Sequence, residues 1–130
     1  MAIMARQSIA KKSVLKIIQN ASTPVSSTEI QLKCKLFNRA TIYRTLSTLK
    51  EENLVRLIEI GDGSLRYESV DNHYHHLICS KCKTIQRIDL PKNEEKRLIK
   101  IQQKFQRETK FIDLEHSLEF FGLCSHCKNI

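Results

Sequence analysis

Residues 38–50 read NRATIYRTLSTLK. Ile42, Leu46 and Leu49 recur at i, i+4 and i+7, the repeat of one face of an α-helix. Asn38, just before the run, suits an N-cap, because its side-chain oxygen can take one of the first unpaired backbone N–H groups. Arg44 lies nearly opposite the apolar stripe, with Thr41 and Thr48 toward the same side and Tyr43 flanking it. Arginine and threonine on an outer face suit phosphate and base-edge contacts. A merely solvated helix face is also polar, so the flanking sequence has to decide.

Upstream, QSIAKKSVLKIIQN (residues 7–20) sets Ala10, Val14, Ile17 and Ile18 on one helical face, and Pro24 ends the pattern. Ser26 followed by Glu29 makes a capping box, so a second helix starts there and runs to about Leu36, with Ile30 and Cys34 on its inner face. Downstream, LVRLIEI (54–60) and LRYESV (65–70) read as strands joined by GDGS, a hairpin turn signal. Three helices and a hairpin are the order of a winged helix-turn-helix, whose third helix enters the major groove and whose hairpin is the wing.

Charge placement agrees. Residues 1–50 carry nine Lys/Arg against one acid, Glu29, and the other 80 residues hold 13 of each sign, so the net charge of +8 sits in the first segment. A localised cationic segment suits a polyanion, most often nucleic acid. No run approaches the roughly 20 apolar residues of a membrane span. The start, MAIMARQSIAKK, has no apolar core of a signal peptide, which favours the cytoplasm. Thiols stay reduced there, so five cysteines read as metal ligands before disulfides.

Asp71 and Asn72 read as a joint, giving a winged-helix domain over 1–71 and a second domain over 72–130. Two parts this small have marginal cores, so a metal or a dimer partner is expected to stabilise them. In the second part HLICS and KTIQRID read as strands around a CxxC, and 93–108 as a helix with Leu98, Ile101 and Phe105 as its inward stripe. KFIDLEHSLEFF alternates as a strand, with Ile112, Leu114, His116, Leu118 and Phe120 on one face.

Cys79-x-x-Cys82 and Cys124-x-x-Cys127 are two knuckles far apart in sequence. Each turn presents two sulfurs to one ion, and two turns complete a closed tetrahedral shell, so the implied Zn(II) is structural. A pair of thiol–disulfide switches is the competing reading, with Lys81, Lys83 and Lys128 available to activate a thiolate. Cys34 reads as a core residue. His73 and His75 alternate onto one strand face; Glu94, four residues before Leu98, extends the inward helix stripe; and His116 sits on an apolar strand face. Their convergence gives three imidazoles and a carboxylate, which suit Zn(II), with Fe(II), Mn(II) or Co(II) close behind. An enzyme is disfavoured: a zinc deaminase needs H-x-E and Pro-Cys-x-x-Cys, and Lys81-Cys82 and Leu123-Cys124 stand in place of any Pro-Cys.

ATIYRTL (40–46), HHLICSKC (75–82) and HSLEFFGLCSHC (116–127) resemble motifs of the ferric uptake regulator family of metal-responsive bacterial repressors, and the resemblance covers nearly the whole chain. It implies an α+β fold, an N-terminal winged helix followed by a small α/β dimerisation domain with a four-cysteine zinc site. It places Cys79, Cys82, Cys124 and Cys127 at the family's structural zinc, and His73, His75, Glu94 and His116 at a second, regulatory site. A third site, the family's usual sensor at the hinge, is degraded. Glu68 and His76 match it, but Tyr74 stands for a histidine, Pro24 lies where an N-terminal-domain histidine is often found, and Arg87 lies where an acid follows the CxxC. An insertion before Cys79 would instead make His73 and His75 hinge ligands. The resemblance implies a homodimer that represses from a palindromic operator in double-stranded DNA and controls zinc or iron uptake, with Arg39, Thr41, Tyr43, Arg44 and Thr48 at the DNA. A peroxide or thiol redox-sensing regulator on the same fold is the alternative.

Overall fold

A computed structural model describes residues 2–71 and 73–129, with side chains from Ile9 onward. The chain divides into two compact units, Met1–His73 and Tyr74–Ile130. Asn72, where the second domain is expected to start, lies outside the described residues.

The first unit holds α1 (Ala2–Asn20), α2 (Ser27–Lys33), α3 (Arg39–Glu51), β1 (Val55–Glu59) and β2 (Leu65–Ser69). The two expected caps form. Ser26 Oγ accepts from the Glu29 N–H at 3.1 Å, and Asn38 Oδ1 accepts from the Thr41 N–H at 2.8 Å. Beyond the end of α3, Asn53 takes a left-handed φ of 59°, and the Leu54 N–H reaches back to the Leu49 carbonyl at 2.9 Å. That closure satisfies a terminal carbonyl and turns the chain into β1.

Val14, Ile18, Ile30, Ile42, Leu46 and Leu49 form the core with Val25 and Val55. Each buried aliphatic side chain contributes about 1.5–3 kcal/mol by leaving water. α2 stops at Lys33, short of the expected Leu36, because the chain turns at Cys34 and Phe37 packs back against the core. β1 and β2 pair antiparallel from Val55↔Ser69 to Glu59↔Leu65, and Gly61 and Gly63 take positive φ in the turn that joins them. The wing is therefore a regular hairpin.

The second unit holds β3 (His75–Cys79), β4 (Ile85–Ile88), α4 (Lys92–Glu108) and β5 (Glu119–Gly122). Its sheet runs β4-β3-β5, with β3 antiparallel to β4 and parallel to β5. Parallel neighbours need a long crossover, and α4 lies in the connection.

Two expectations fail in this unit. The alternating stretch before β5 is not a strand over most of its length: only residues 119–122 join the ladder. Asp113 adopts a left-handed φ of 53°, and the backbone of Leu114 bonds to glutamine side chains of α4 instead of to a strand. The inward phase of α4 also differs. Glu95, Leu98, Gln102 and Gln106 are the partly buried positions, whereas Ile101 and Phe105 are 47% and 50% exposed. Phe111, Ile112, Phe120 and Phe121 are exposed as well, so this unit by itself leaves much apolar surface in water.

Candidate metal centres and nucleic-acid face

Cys79, Cys82, Cys124 and Cys127 come together, each offering a sulfur within 4.8 Å of the others. Cys79 ends β3 and Cys124 follows β5 by two residues, so the parallel pairing of these strands brings the two knuckles side by side. Ser80 N–H to the Gly122 carbonyl at 2.7 Å ties their approaches. Within each knuckle the chain turns on itself: Lys83 N–H bonds the Cys79 carbonyl, and Cys127 N–H bonds the Cys124 carbonyl.

The electrostatics suit a cation. Cys79 Sγ accepts from the backbone N–H groups of Cys82 and Cys124, both at 3.5 Å, and these bonds hold its thiol down at about 5. Cys82 is lowered as well, first by its contact with the Thr84 hydroxyl at 3.0 Å. Cys127 is pushed up to about 12, first by its contact with Cys124 and then by burial. Four thiolates this close repel one another, and a tetrahedral divalent ion removes the conflict. The residues fit structural zinc. Cys34, by contrast, is buried among core residues of the first unit, and burial pushes its thiol up, as befits an unreactive side chain.

A second group, within the second unit, consists of His75, Glu95 and His116, with ligand atoms again within 4.8 Å of one another. His73, expected beside them, is the residue at which the first unit ends. Glu95 sits between two imidazoles. Its Oε2 lies 2.8 Å from His75 Nε2 and its Oε1 lies 2.7 Å from His116 Nε2. The two rings stack at 5.3 Å between centroids. His73 is exposed, and its Nδ1 is 3.2 Å from an Arg56 guanidinium nitrogen. Imidazole nitrogens and one carboxylate fit a divalent transition metal.

Glu94, expected as the helix carboxylate, is a correction. It points to solvent, 3.5 Å from Arg97 in an exposed pair. The reason is the phase of α4: with Leu98, Gln102 and Gln106 inward, the position three residues before Leu98 faces the histidines, and that is Glu95. Following the apolar repeat, sequence reasoning missed Glu95, Gln102 and Gln106. Polar residues at i, i+7 and i+11, on the face that Leu98 occupies at i+3, were the signal that could have found them.

The hinge-pattern residues lie in different units. In the first, Glu68 is buried with Arg56 Nε 3.7 Å from its carboxylate. In the second, His76 is buried with Nδ1 3.8 Å from Glu119 Oε1, its neighbour on β5. Tyr74 and Arg87, the two departures in this unit, pack together with the guanidinium 4.8 Å from the ring centroid.

The outward face of α3 carries Arg39, Tyr43, Arg44 and Thr48 exposed and Thr41 half-buried. Arg39 lies over the Tyr43 ring at 5.6 Å, and the Tyr43 oxygen also meets the Ser27 hydroxyl at 3.3 Å, linking α3 to the start of α2. Hydrogen bonds from Ser27 and Arg39 hold the Tyr43 hydroxyl below its ordinary pKa. Thr48 is anchored to the Arg44 carbonyl at 3.1 Å.

A family model described as the ferric uptake regulator family matches residues 5–121. The ferric uptake regulation protein of Bacillus subtilis is 32% identical, over 88% of this chain and 79% of that one. The peroxide-responsive repressor PerR of Staphylococcus epidermidis is 33% identical over 68% of this chain, and the match spans 56% of that protein's length. Among solved structures, the Helicobacter pylori ferric uptake regulator, whose structure reveals three functional metal-binding sites in that protein, superposes with a TM-score of 0.70 at 26% identity, over 92% of this chain and 79% of that one. The Campylobacter jejuni peroxide stress regulator shares the fold, with a TM-score of 0.72 at 22% identity over 95% and 92% of the two chains.

Proposed function

The chain belongs to the ferric uptake regulator family, whose members are transcription regulators and not enzymes, and we propose that it is a metal-dependent, sequence-specific repressor of metal-uptake genes. The observation that carries this reading is the convergence of His75, Glu95 and His116 on one point, beside a thiolate cluster that can hold zinc. The thiolates hold a structural Zn(II), and the histidine site takes the exchangeable, regulatory ion. Nitrogen-rich ligation favours Zn(II) there, with Fe(II) and Mn(II) as the competitors.

Residues 1–71 read DNA through Arg39, Thr41, Tyr43, Arg44 and Thr48, and residues 72–130 dimerise and bind metal. The exposed apolar surface of the second unit supports a partner copy. A two-fold dimer presents two recognition helices to successive major-groove faces, about 34 Å apart, of a palindromic operator. Metal bound better by the DNA-competent dimer than by other arrangements shifts the population toward it. Acting on chromosomal DNA, the protein works in the cytoplasm; among the described residues no helix is long and apolar enough to cross a membrane.

The test is metal content and operator affinity measured together across Zn(II), Fe(II) and Mn(II). About one tightly held zinc per chain is expected, plus a weaker ion whose occupancy tracks operator binding. Operator affinity indifferent to every metal refutes the reading. The similarity to a peroxide-responsive repressor supports a second reading, in which an iron-loaded histidine site senses peroxide. Loss of operator binding on peroxide treatment of the Fe(II) form, with the Zn(II) form unaffected, would select it.

A further inference from the structure

Leu114 lies two residues before His116, in the stretch that leads to β5 but makes no ladder of its own. Two side chains of α4 satisfy its backbone. Gln102 Nε2 donates to the Leu114 carbonyl at 2.8 Å, and the Leu114 N–H donates to Gln106 Oε1 at 2.9 Å. Gln102 and Gln106 are four residues apart and share one helix face. The other end of the Gln102 amide, Oε1, meets His116 Nδ1.

These contacts determine where hydrogens sit. A peptide carbonyl only accepts, so the end of Gln102 toward Leu114 has to be the NH2. The end toward His116 is then the amide oxygen, which also only accepts. His116 Nδ1 must therefore carry the ring hydrogen and donate it. In a neutral imidazole the lone pair is left on Nε2. That nitrogen is the one 2.7 Å from Glu95 Oε1, facing the convergence point of the histidine site.

We propose that Gln102 is a positioning residue of this site: it locks His116 in the Nδ1–H tautomer, so that Nε2 is presented to a divalent cation, while Gln106 holds the backbone that carries the ring. The inference rests on the metal-site reading given above. Gln102 acts in two ways. It fixes the ring's orientation, and by accepting the Nδ1 hydrogen it leaves the Nε2 lone pair for the ion. Glu95 and His75 approach the same point from α4 and β3, so one imprecisely held ring would spoil a geometry set by three separate elements.

The experiment uses the full chain with zinc already in the thiolate cluster and Co(II) as the probe. Wild type is compared with His116→Ala, Gln102→Met and Gln102→Glu. His116→Ala reports on the site alone: if it binds Co(II) as wild type does, the metal-site reading fails, whatever Gln102 does. With His116→Ala impaired, Gln102→Met is expected to weaken Co(II) binding about ten- to a hundredfold, the usual effect of losing an outer hydrogen-bond partner. Gln102→Glu keeps an oxygen toward Nδ1 and is expected to bind Co(II) more tightly than Gln102→Met. Long-range proton–nitrogen NMR without cobalt gives the second readout. Because Glu95 Oε1 faces Nε2 when no ion is bound, His116 is expected to carry a hydrogen on Nδ1 in wild type and Gln102→Glu, and to shift to the Nε2–H tautomer in Gln102→Met. Co(II) affinity unchanged in Gln102→Met overturns the proposal. So does equal loss in both Gln102 variants with Nδ1–H retained, because Gln102 would then only be propping Leu114. If Gln102→Met does not fold, an Nε2–H tautomer in wild type overturns it alone.

Discussion

Glu94 and Glu95 are adjacent acids on the first turn of α4, and exchanging each for glutamine tests the histidine site directly. Glu95 reaches two imidazoles at 2.7 and 2.8 Å, and Glu94 pairs with Arg97, at 3.5 Å on the surface. Losing an outer partner of a metal ligand costs about 10- to 100-fold in affinity, and losing a ligand itself costs at least that, so Glu95→Gln is expected to weaken the regulatory ion about a hundredfold or more. An exposed pair one helical turn apart is worth about 0.2–0.5 kcal/mol, so Glu94→Gln is expected to shift affinity by about twofold at most. The assay is competition for Co(II) against a chromophoric chelator, in protein whose thiolate cluster already holds zinc. Zinc stoichiometry should be the same in both variants, since neither glutamate belongs to the four-cysteine group. A loss in Glu94→Gln equal to or greater than that in Glu95→Gln would refute the placement of the carboxylate.

Arg44→Ala is expected to weaken operator binding with zinc content unchanged, and to reduce the salt dependence by about one unit of slope if the contact is to phosphate; undiminished affinity sinks the assignment of α3 as the reading helix. Leu46→Ala opens a cavity in the core of the first unit, where Leu46 is 1% exposed, and is expected to cost about 2–5 kcal/mol in denaturant unfolding of that unit. Zinc uptake by the thiolates should release protons. Cys79, held down at about 5, has already lost its proton at neutral pH, whereas Cys127, pushed up to about 12, must give one up. Zinc affinity should therefore rise with pH over about 6 to 8; calorimetry in buffers of different ionisation enthalpy that finds no proton released would contradict this.

The winged helix was legible because its inner faces are apolar. Ile42, Leu46 and Leu49 are buried, and the caps at Ser26 and Asn38 are local features of three or four residues. The thiolate cluster was legible from spacing alone. The second unit was harder to read because two of its patterns run against the usual rule. On α4 the apolar residues Ile101 and Phe105 face outward, where a partner copy would cover them, and glutamines face in. A period drawn through apolar residues therefore lands one position off and picks Glu94. Before β5, the half-buried Leu114, His116 and Leu118 alternate as a strand does, yet the neighbour that bonds Leu114 is a helix with side-chain amides, which no alternation reveals.

β3 begins at His75 and ends at Cys79, so a single five-residue strand feeds both metal centres. An extended strand behaves as a ruler of about 3.3 Å per residue. A one-residue slip would turn every side chain to the opposite face and exchange His75 for His76 at Glu95. An ion clasping Cys79 sets the zero of that ruler. On the metal reading proposed above, filling the cysteine centre would select the register in which the histidine centre exists, and the dependence would run equally in the other direction. Stripping zinc from the thiolates should loosen the second ion without any agent touching its ligands. If both sites hold the ions proposed above, they would not be independent detectors: the strand would make the reading of one metal conditional on the presence of the other.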